Sequence, residues 1–358
     1  MLKFLLTPFA LLYGIAIFIR NRLYDWRILK SFEFDFPVIC IGNLSVGGTG
    51  KTPHTEYIIA LLDEFFSVGI VSRGYGRRTN GYLLANENST VADIGDEPLQ
   101  IITNYPKVAF AVGEDRGFAI PHLIRDEPDT KVILLDDAYQ HRSVKAGLNI
   151  LLTDYSRLYC NDWLLPVGRL REFRSGSKRA NVIVVTKCPT TLSQEEKTTI
   201  INKLKPQAFQ KVFFSSLYYG QCSSFLDGKK TIELKKDAHI LLVCGIANSN
   251  SLENYLSSKT ASVTTLNFGD HHFYNERDIE KVRSAFEQIK ADSKFIITTQ
   301  KDAVKLNTFK NFFQVNNLPL YIQPVRPQFD DAESKQFSTL IFDYVSKYYS
   351  GVEATTND

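Results

Sequence analysis

The chain predicts an α/β protein: a mostly parallel sheet with helices on both faces, a smaller C-terminal α/β lobe, and an apolar helix at the N-terminus. Three observations carry this. Short apolar runs alternate with helix-period segments from Phe36 onward, the pattern of strands buried on both faces and joined by crossover helices. A glycine-rich loop follows the first of those runs and opens the first of those helices. The 358 residues exceed what one core organises, about 250–300, so two lobes are expected.

The first element is the stretch 4–19, which contains no charge and is flanked by Lys3, Arg20 and Arg22. As a helix it reaches about 24 Å, short of the roughly 30 Å of a hydrocarbon core. No small-x-small cleavage site follows it. A span and a signal peptide are thereby disfavoured beside a core helix and an interfacial helix, and the interfacial helix is the expected reading. Four of its Leu, Ile or Phe side chains in lipid, at about 1.5–3 kcal/mol each, would give several kcal/mol of affinity for a membrane surface.

The runs 38–41, 69–71, 108–112, 132–135, 148–152 and 182–185 read as buried strands, and 53–66 as a helix with Tyr57, Ile58, Leu61, Leu62, Phe65 and Phe66 at helical spacing. Pro53 sits in its first turn, where a missing N–H costs little. The chain turns polar and irregular over 217–238, then strands resume at 240–244, 263–266 and 295–299. The expected division is a membrane-associating helix (1–30), a larger core (31–225), a smaller C-terminal lobe (226–350) and a disordered polar tail (351–358).

Composition bounds the function. A net charge of +3 gives no reason to expect nucleic acid, and no segment calls for an obligate protein partner. Five cysteines without C-x-x-C spacing speak against a disulfide framework and a zinc site.

The loop reads Ser45-Val46-Gly47-Gly48-Thr49-Gly50-Lys51-Thr52, with Ser45 where the common pattern begins with glycine. Between a strand and a helix, this is a P-loop NTPase-like motif. Backbone N–H groups from Gly48 to Thr52 surround phosphates at a helix N-terminus, the Lys51 ammonium reaches the β- and γ-phosphates, and the Thr52 hydroxyl suits Mg²⁺. The run 131–135 ends in Asp136 and Asp137, and Asp136, at the strand end, is the better candidate for the same ion. ATP and Mg²⁺ are the expected cofactors.

A nucleotide-dependent switch or assembly ATPase or GTPase is the alternative. Val46 stands where partitioning ATPases carry a lysine that reaches across a dimer, and Thr186-Lys187-Cys188-Pro189 and Thr299-Gln300-Lys301-Asp302 are imperfect forms of the guanine-reading N-K-x-D. Both facts weaken that alternative.

Beyond Gly42-Asn43-Leu44 with the loop and Pro53, the chain carries Ser72-Arg73-Gly74-Tyr75-Gly76-Arg77 and Gly95-Asp96-Glu97-Pro98. Further on stand Asp136-Asp137-Ala138-Tyr139-Gln140-His141, Leu165-Pro166-Val167-Gly168-Arg169-Leu170-Arg171-Glu172, and Phe268-Gly269-Asp270-His271-His272. In these segments the chain resembles the tetraacyldisaccharide 4'-kinase family. Ala138 replaces a usual glycine, and Gln300 replaces the glutamate of a Thr-Glu-Lys-Asp-Ala-Val-Lys segment. The resemblance implies transfer of the ATP γ-phosphate to an acylated glucosamine disaccharide 1-phosphate in lipid A biosynthesis, at the cytoplasmic face of the inner membrane. It also implies Asp96 as base assisted by His271, and Arg73, Tyr75, Arg116, His141 and Arg171 on the substrate. An imidazole that orients a carboxylate keeps it a usable proton acceptor, and arginine suits phosphate through its planar fork.

Overall fold

The computed structural model describes residues 2–349. The expected tail 351–358 lies outside them. The first helix, α1 (Leu2–Asp25), is longer than the uncharged stretch alone. The larger sheet comprises β1 (Val38–Asn43), β2 (Val68–Ser72), β3 (Leu83–Leu84), β4 (Ala109–Val112), β5 (Val132–Asp136), β6 (Leu148–Asp154), β7 (Val182–Thr186) and β8 (Lys211–Phe214). Its order is β3-β4-β2-β5-β1-β6-β7-β8. All neighbours are parallel except β3 with β4.

Alternate side chains of β1 enter two cores. Val38 and Cys40 join one, and Ile39 and Ile41 the other, which is why these strands read as unbroken apolar runs. The first core is covered by α5 (Arg116–Asp126) and α6 (Gln194–Leu204). The second is covered by α2 (Lys51–Leu62) and α4 (Asp96–Asn104), the latter preceded by the short turn α3 (Val91–Ile94).

The region 217–238, expected to be irregular, instead holds most of β9 (Ser216–Tyr219) together with β10 (Cys222–Ser224) and β11 (Thr231–Ile232). These strands are too short for periodicity to register. The smaller lobe adds β12 (His239–Cys244), α7 (Asn250–Lys259), β13 (Ser262–Asn267), α8 (Glu276–Gln288), β14 (Lys294–Thr299), α9 (Gln300–Leu306), α10 (Lys310–Val315) and β15 (Leu320–Gln323). Its sheet runs β11-β10-β15-β14-β12-β13, parallel through β15-β14-β12-β13.

The chain then returns. β16 (Val325–Gln328) pairs antiparallel with β9, and α11 (Asp331–Ser346) buries Phe337, Ile341 and Val345 in the core of the larger lobe. The segment 226–350 is therefore not one lobe. Its last part packs where Phe329 and Phe337 stack at 5.0 Å against the α2 side, because that face of the large sheet still needs an apolar cover.

Candidate active site

The glycine loop joins β1 to α2. Gly50 has φ 86°, a left-handed conformation that costs glycine little, and it turns the chain into the helix. Side chains outside the loop take up its carbonyls. Thr186 donates to Thr49 O at 2.8 Å, Lys187 to Gly48 O, and His54 Nδ1 lies 2.7 Å from Gly50 O. The first-turn N–H groups of α2 lack intrahelical acceptors, so the loop offers donors to the cleft. Lys187 and Thr186 thus support the loop, a role that their resemblance to a guanine-reading motif concealed; their place at the end of β7 beside β6 was the available signal.

A cleft of about 600 Å³ separates the lobes. Gly47, Gly48, Gly50, Lys51, Thr52, Arg73, Tyr75, Asp96, Asp136, His141 and Arg171 line it from the larger lobe, with His271 and Lys301 opposite. Two expected residues do not line it. Thr49 is buried and accepts from Asn43 Nδ2 at 2.7 Å. Arg116 is wholly buried behind the cleft, donating to the carbonyls of Gly113 and Glu114 at 2.9 and 3.1 Å, while its Nε and Nη2 find no acceptor among the described residues.

At the end of β5 the two acids differ. Asp137, at φ 47°, receives the Arg171 fork at 2.7 and 3.2 Å and lies 3.6 Å from Lys51 Nζ. Burial pushes its carboxyl up, but Lys51, Arg171 and Arg116 outweigh that and hold it far below the usual range. Arg171, expected on the substrate, spends its fork on Asp137 and also donates to Asn43. Asp136 is 2% exposed and accepts a 2.9 Å bond from Thr55. Burial, then the charges of Glu97 and Asp137, push it up to about 7. Burial and the cations Arg116, Arg73 and Arg20 push His141 down to about 4.

Asp96 opens α4. Gly95 before it has φ 97°, and a Cβ there would meet Tyr75 O at 2.8 Å, so the loop carrying Arg73 and Tyr75 lies directly on the start of α4. His271 crosses from the other lobe, with Nδ1 3.0 and 3.2 Å from the Asp96 oxygens, and Tyr75 packs on its ring at 4.7 Å. Burial pushes the Asp96 carboxyl up, but His271, Lys301 and Lys305 reverse the direction and hold it below its ordinary value. Lys301, which the sequence offered only within an imperfect guanine-reading motif, sits 3.1 Å from Glu97 and 3.4 Å from Asp270. Gln300 accepts from Val325 N at 3.1 Å. A carboxamide oxygen does there what a carboxylate would, so the departure at that position leaves the site intact.

A phosphate-cradling loop, a lysine and threonine at its end, two acids on the adjacent strand and a carboxylate–imidazole pair across a two-lobed cleft define a P-loop phosphotransferase. The model of one such family, tetraacyldisaccharide-1-P 4'-kinase (LpxK), matches residues 2–344, and the chain belongs to that family. The tetraacyldisaccharide 4'-kinase of Parabacteroides distasonis is 44% identical over 95% of this chain and 94% of its own length. That of Flavobacterium johnsoniae is 44% identical over 97% and 98%. The fold is similar to the crystal structure of Aquifex aeolicus LpxK in complex with ATP, with a TM-score of 0.72, 26% identity, and coverage of 96% of this chain and all of that one.

Proposed function

We infer that the protein transfers the γ-phosphate of ATP to the 4'-hydroxyl of a tetraacyl glucosamine disaccharide 1-phosphate in lipid A biosynthesis. The observation that carries this is the Asp96–His271 pair facing the glycine loop across one cleft. The sugar hydroxyl oxygen attacks the γ-phosphorus, its proton passes to the Asp96 carboxylate, the bond to the β-phosphate oxygen breaks, and ADP leaves. Lys51 neutralises charge on the phosphates as the bond breaks. Closure of the two lobes joins His271 to Asp96 and excludes water.

A Mg²⁺ would be held by the Thr52 hydroxyl and Asp136. Asp136 is a buried carboxylate that accepts a bond from the Thr55 hydroxyl at 2.9 Å, a hard oxygen donor that fits the ion. Among the described residues no group of three or more His, Cys, Asp or Glu forms a metal cage, so phosphate and water oxygens would complete the shell. Bound there, Mg²⁺ would supply charge neutralisation to the phosphates. Arg73 at the mouth and Arg116 behind it supply the positive field for the 1-phosphate, with Tyr75 and His141 beside the sugar.

α1 would hold this cleft at a membrane. One stripe docks: Tyr13 OH donates to Arg171 O at 2.6 Å, and Arg20 to Gln140 O at 2.9 Å. The rest of the helix exposes Leu5, Phe9, Leu12 and Ile19. No helix among the described residues is long and apolar enough to span a bilayer, which suits peripheral attachment on the cytoplasmic face of the inner membrane, where ATP is present. The test is transfer of labelled γ-phosphate to the tetraacyldisaccharide 1-phosphate in micelles by wild type, Lys51→Ala and Asp96→Ala. Both variants should lose about 10²-fold or more in kcat, with nucleotide binding retained in Asp96→Ala; near-normal turnover there would remove Asp96 from the chemistry.

A further inference from the structure

His271 has a different neighbour on each ring nitrogen. Nδ1 faces Asp96 on α4 at 3.0 and 3.2 Å. Nε2 lies 3.3 Å from Nζ of Lys301 on α9 and 3.7 Å from an Asp270 oxygen, the latter beyond hydrogen-bond reach. Tyr75 covers the ring face. A lysine ammonium has three donors and no acceptor. An Nε2 that carried a proton would aim one donor at another and, in the imidazolium, set two cations side by side. An unprotonated Nε2 accepts from Lys301 instead. The one remaining ring proton then sits on Nδ1, facing a carboxylate that only accepts.

We propose that Lys301 is a positioning residue for phosphoryl transfer, holding His271 in the neutral Nδ1–H tautomer so that Asp96 alone receives the proton of the sugar hydroxyl. This rests on Asp96 being that acceptor. The ammonium is itself fixed by Glu97 at 3.1 Å, Asp270 at 3.4 Å and Asp96 at 3.8 Å. Lys305, held by Asp302 at 2.9 Å, adds a second cation 3.8 Å from Asp96. The backbone cooperates: His271 has φ 53°, and its N–H donates to Asp270 at 3.1 Å. Lys301 and His271 belong to the same lobe, and both face Asp96 and Glu97 on the other.

The direct test is nitrogen NMR of the full chain with ¹⁵N-labelled histidine at neutral pH, the His271 signals being assigned by their loss in His271→Gln. The expected spectrum has a protonated Nδ1 and a bare Nε2; an Nε2–H tautomer or an imidazolium overturns the proposal. The second test is the pH profile of kcat for wild type, Lys301→Met and Lys301→Arg. Without the ammonium, Asp96, Asp270 and Glu97 favour a second proton on His271, so the acid limb of Lys301→Met should rise by about one pH unit or more. Lys301→Arg, which keeps charge and donors, should restore it. A limb in Lys301→Met that coincides with wild type overturns the proposal, since loss of a contact between lobes alone would alter KM or melting temperature and leave the limb in place. Near-normal turnover of Asp96→Asn would overturn the proton-acceptor reading, and with it the catalytic half of the proposal, whichever tautomer the spectrum shows.

Discussion

Replacing Leu5, Phe9 and Leu12 together by serine tests the proposed membrane role of α1. The three side chains are 65%, 63% and 65% exposed and fall at i, i+4, i+7 helical spacing. Full burial of such a side chain is worth about 1.5–3 kcal/mol, so the two thirds of each that is open to lipid contributes about 1–2 kcal/mol. The triple substitution should then weaken binding to anionic vesicles by about 3–6 kcal/mol, or about 10²- to 10⁴-fold at 1.4 kcal/mol per decade. The docked stripe stays in place: Gly14 lies against Leu164 and Phe173, and a Cβ there would already be 3.0 and 3.1 Å from them. Stability should therefore change by no more than about 0.5 kcal/mol. Vesicle co-sedimentation reads the loss, and activity on dispersed substrate in detergent reads the intact catalytic core. A triple variant that sediments like wild type would refute the reasoning.

Gly42→Ala should destabilise the fold by about 1–3 kcal/mol through overpacking, because its Cβ would stand 2.7 Å from Tyr139 Cβ and 3.1 Å from Tyr139 N; thermal unfolding checks this. His54 is buried and pushed down to about 4 by desolvation, while an unfolded histidine titrates near 6.5, so the unfolded chain binds the proton first. Stability is then lost as pH falls from about 6.5 towards 4, by about 2 kcal/mol at pH 5. Denaturation of His54→Gln at pH 7 and pH 5 should show a gap smaller by that amount. Tyr344→Phe should cost about 1–3 kcal/mol, since the hydroxyl accepts from Val38 N at 3.1 Å and donates to Val38 O at 3.0 Å; urea titration reads it.

The sheet around the loop was readable from sequence because β1, β2, β5, β6 and β7 are buried on both faces and so consist almost wholly of apolar residues. β8 and β3 were not, the one having four residues and the other two. α11 is amphipathic in the ordinary way, but which lobe it covers depends on Phe337 meeting Phe213 at 5.3 Å, a contact that no local pattern encodes. The loop residues announced themselves through the backbone conformation that phosphate demands. Asp96 and His271, 175 positions apart, were carried by family resemblance alone, since a carboxylate at a helix start equally suits a cap. Arg116 follows Asp115, whose side chain accepts from Gly117 N and Phe118 N, and burial turned it inward.

The two passages between the lobes, β9 outward and β16 back, lie in a single two-stranded ribbon, and at its far end Gly220 N donates to Pro324 O at 3.1 Å. The smaller lobe is thus spliced into the larger one with its entry and exit side by side. A ribbon of this kind behaves as a leaf hinge: it flexes across its width and resists shear along its length, since shear would break the register of every rung. His271 stands on the lobe beyond that ribbon and meets a carboxylate of the other lobe, so the register of two short strands is tied to the spacing of the pair.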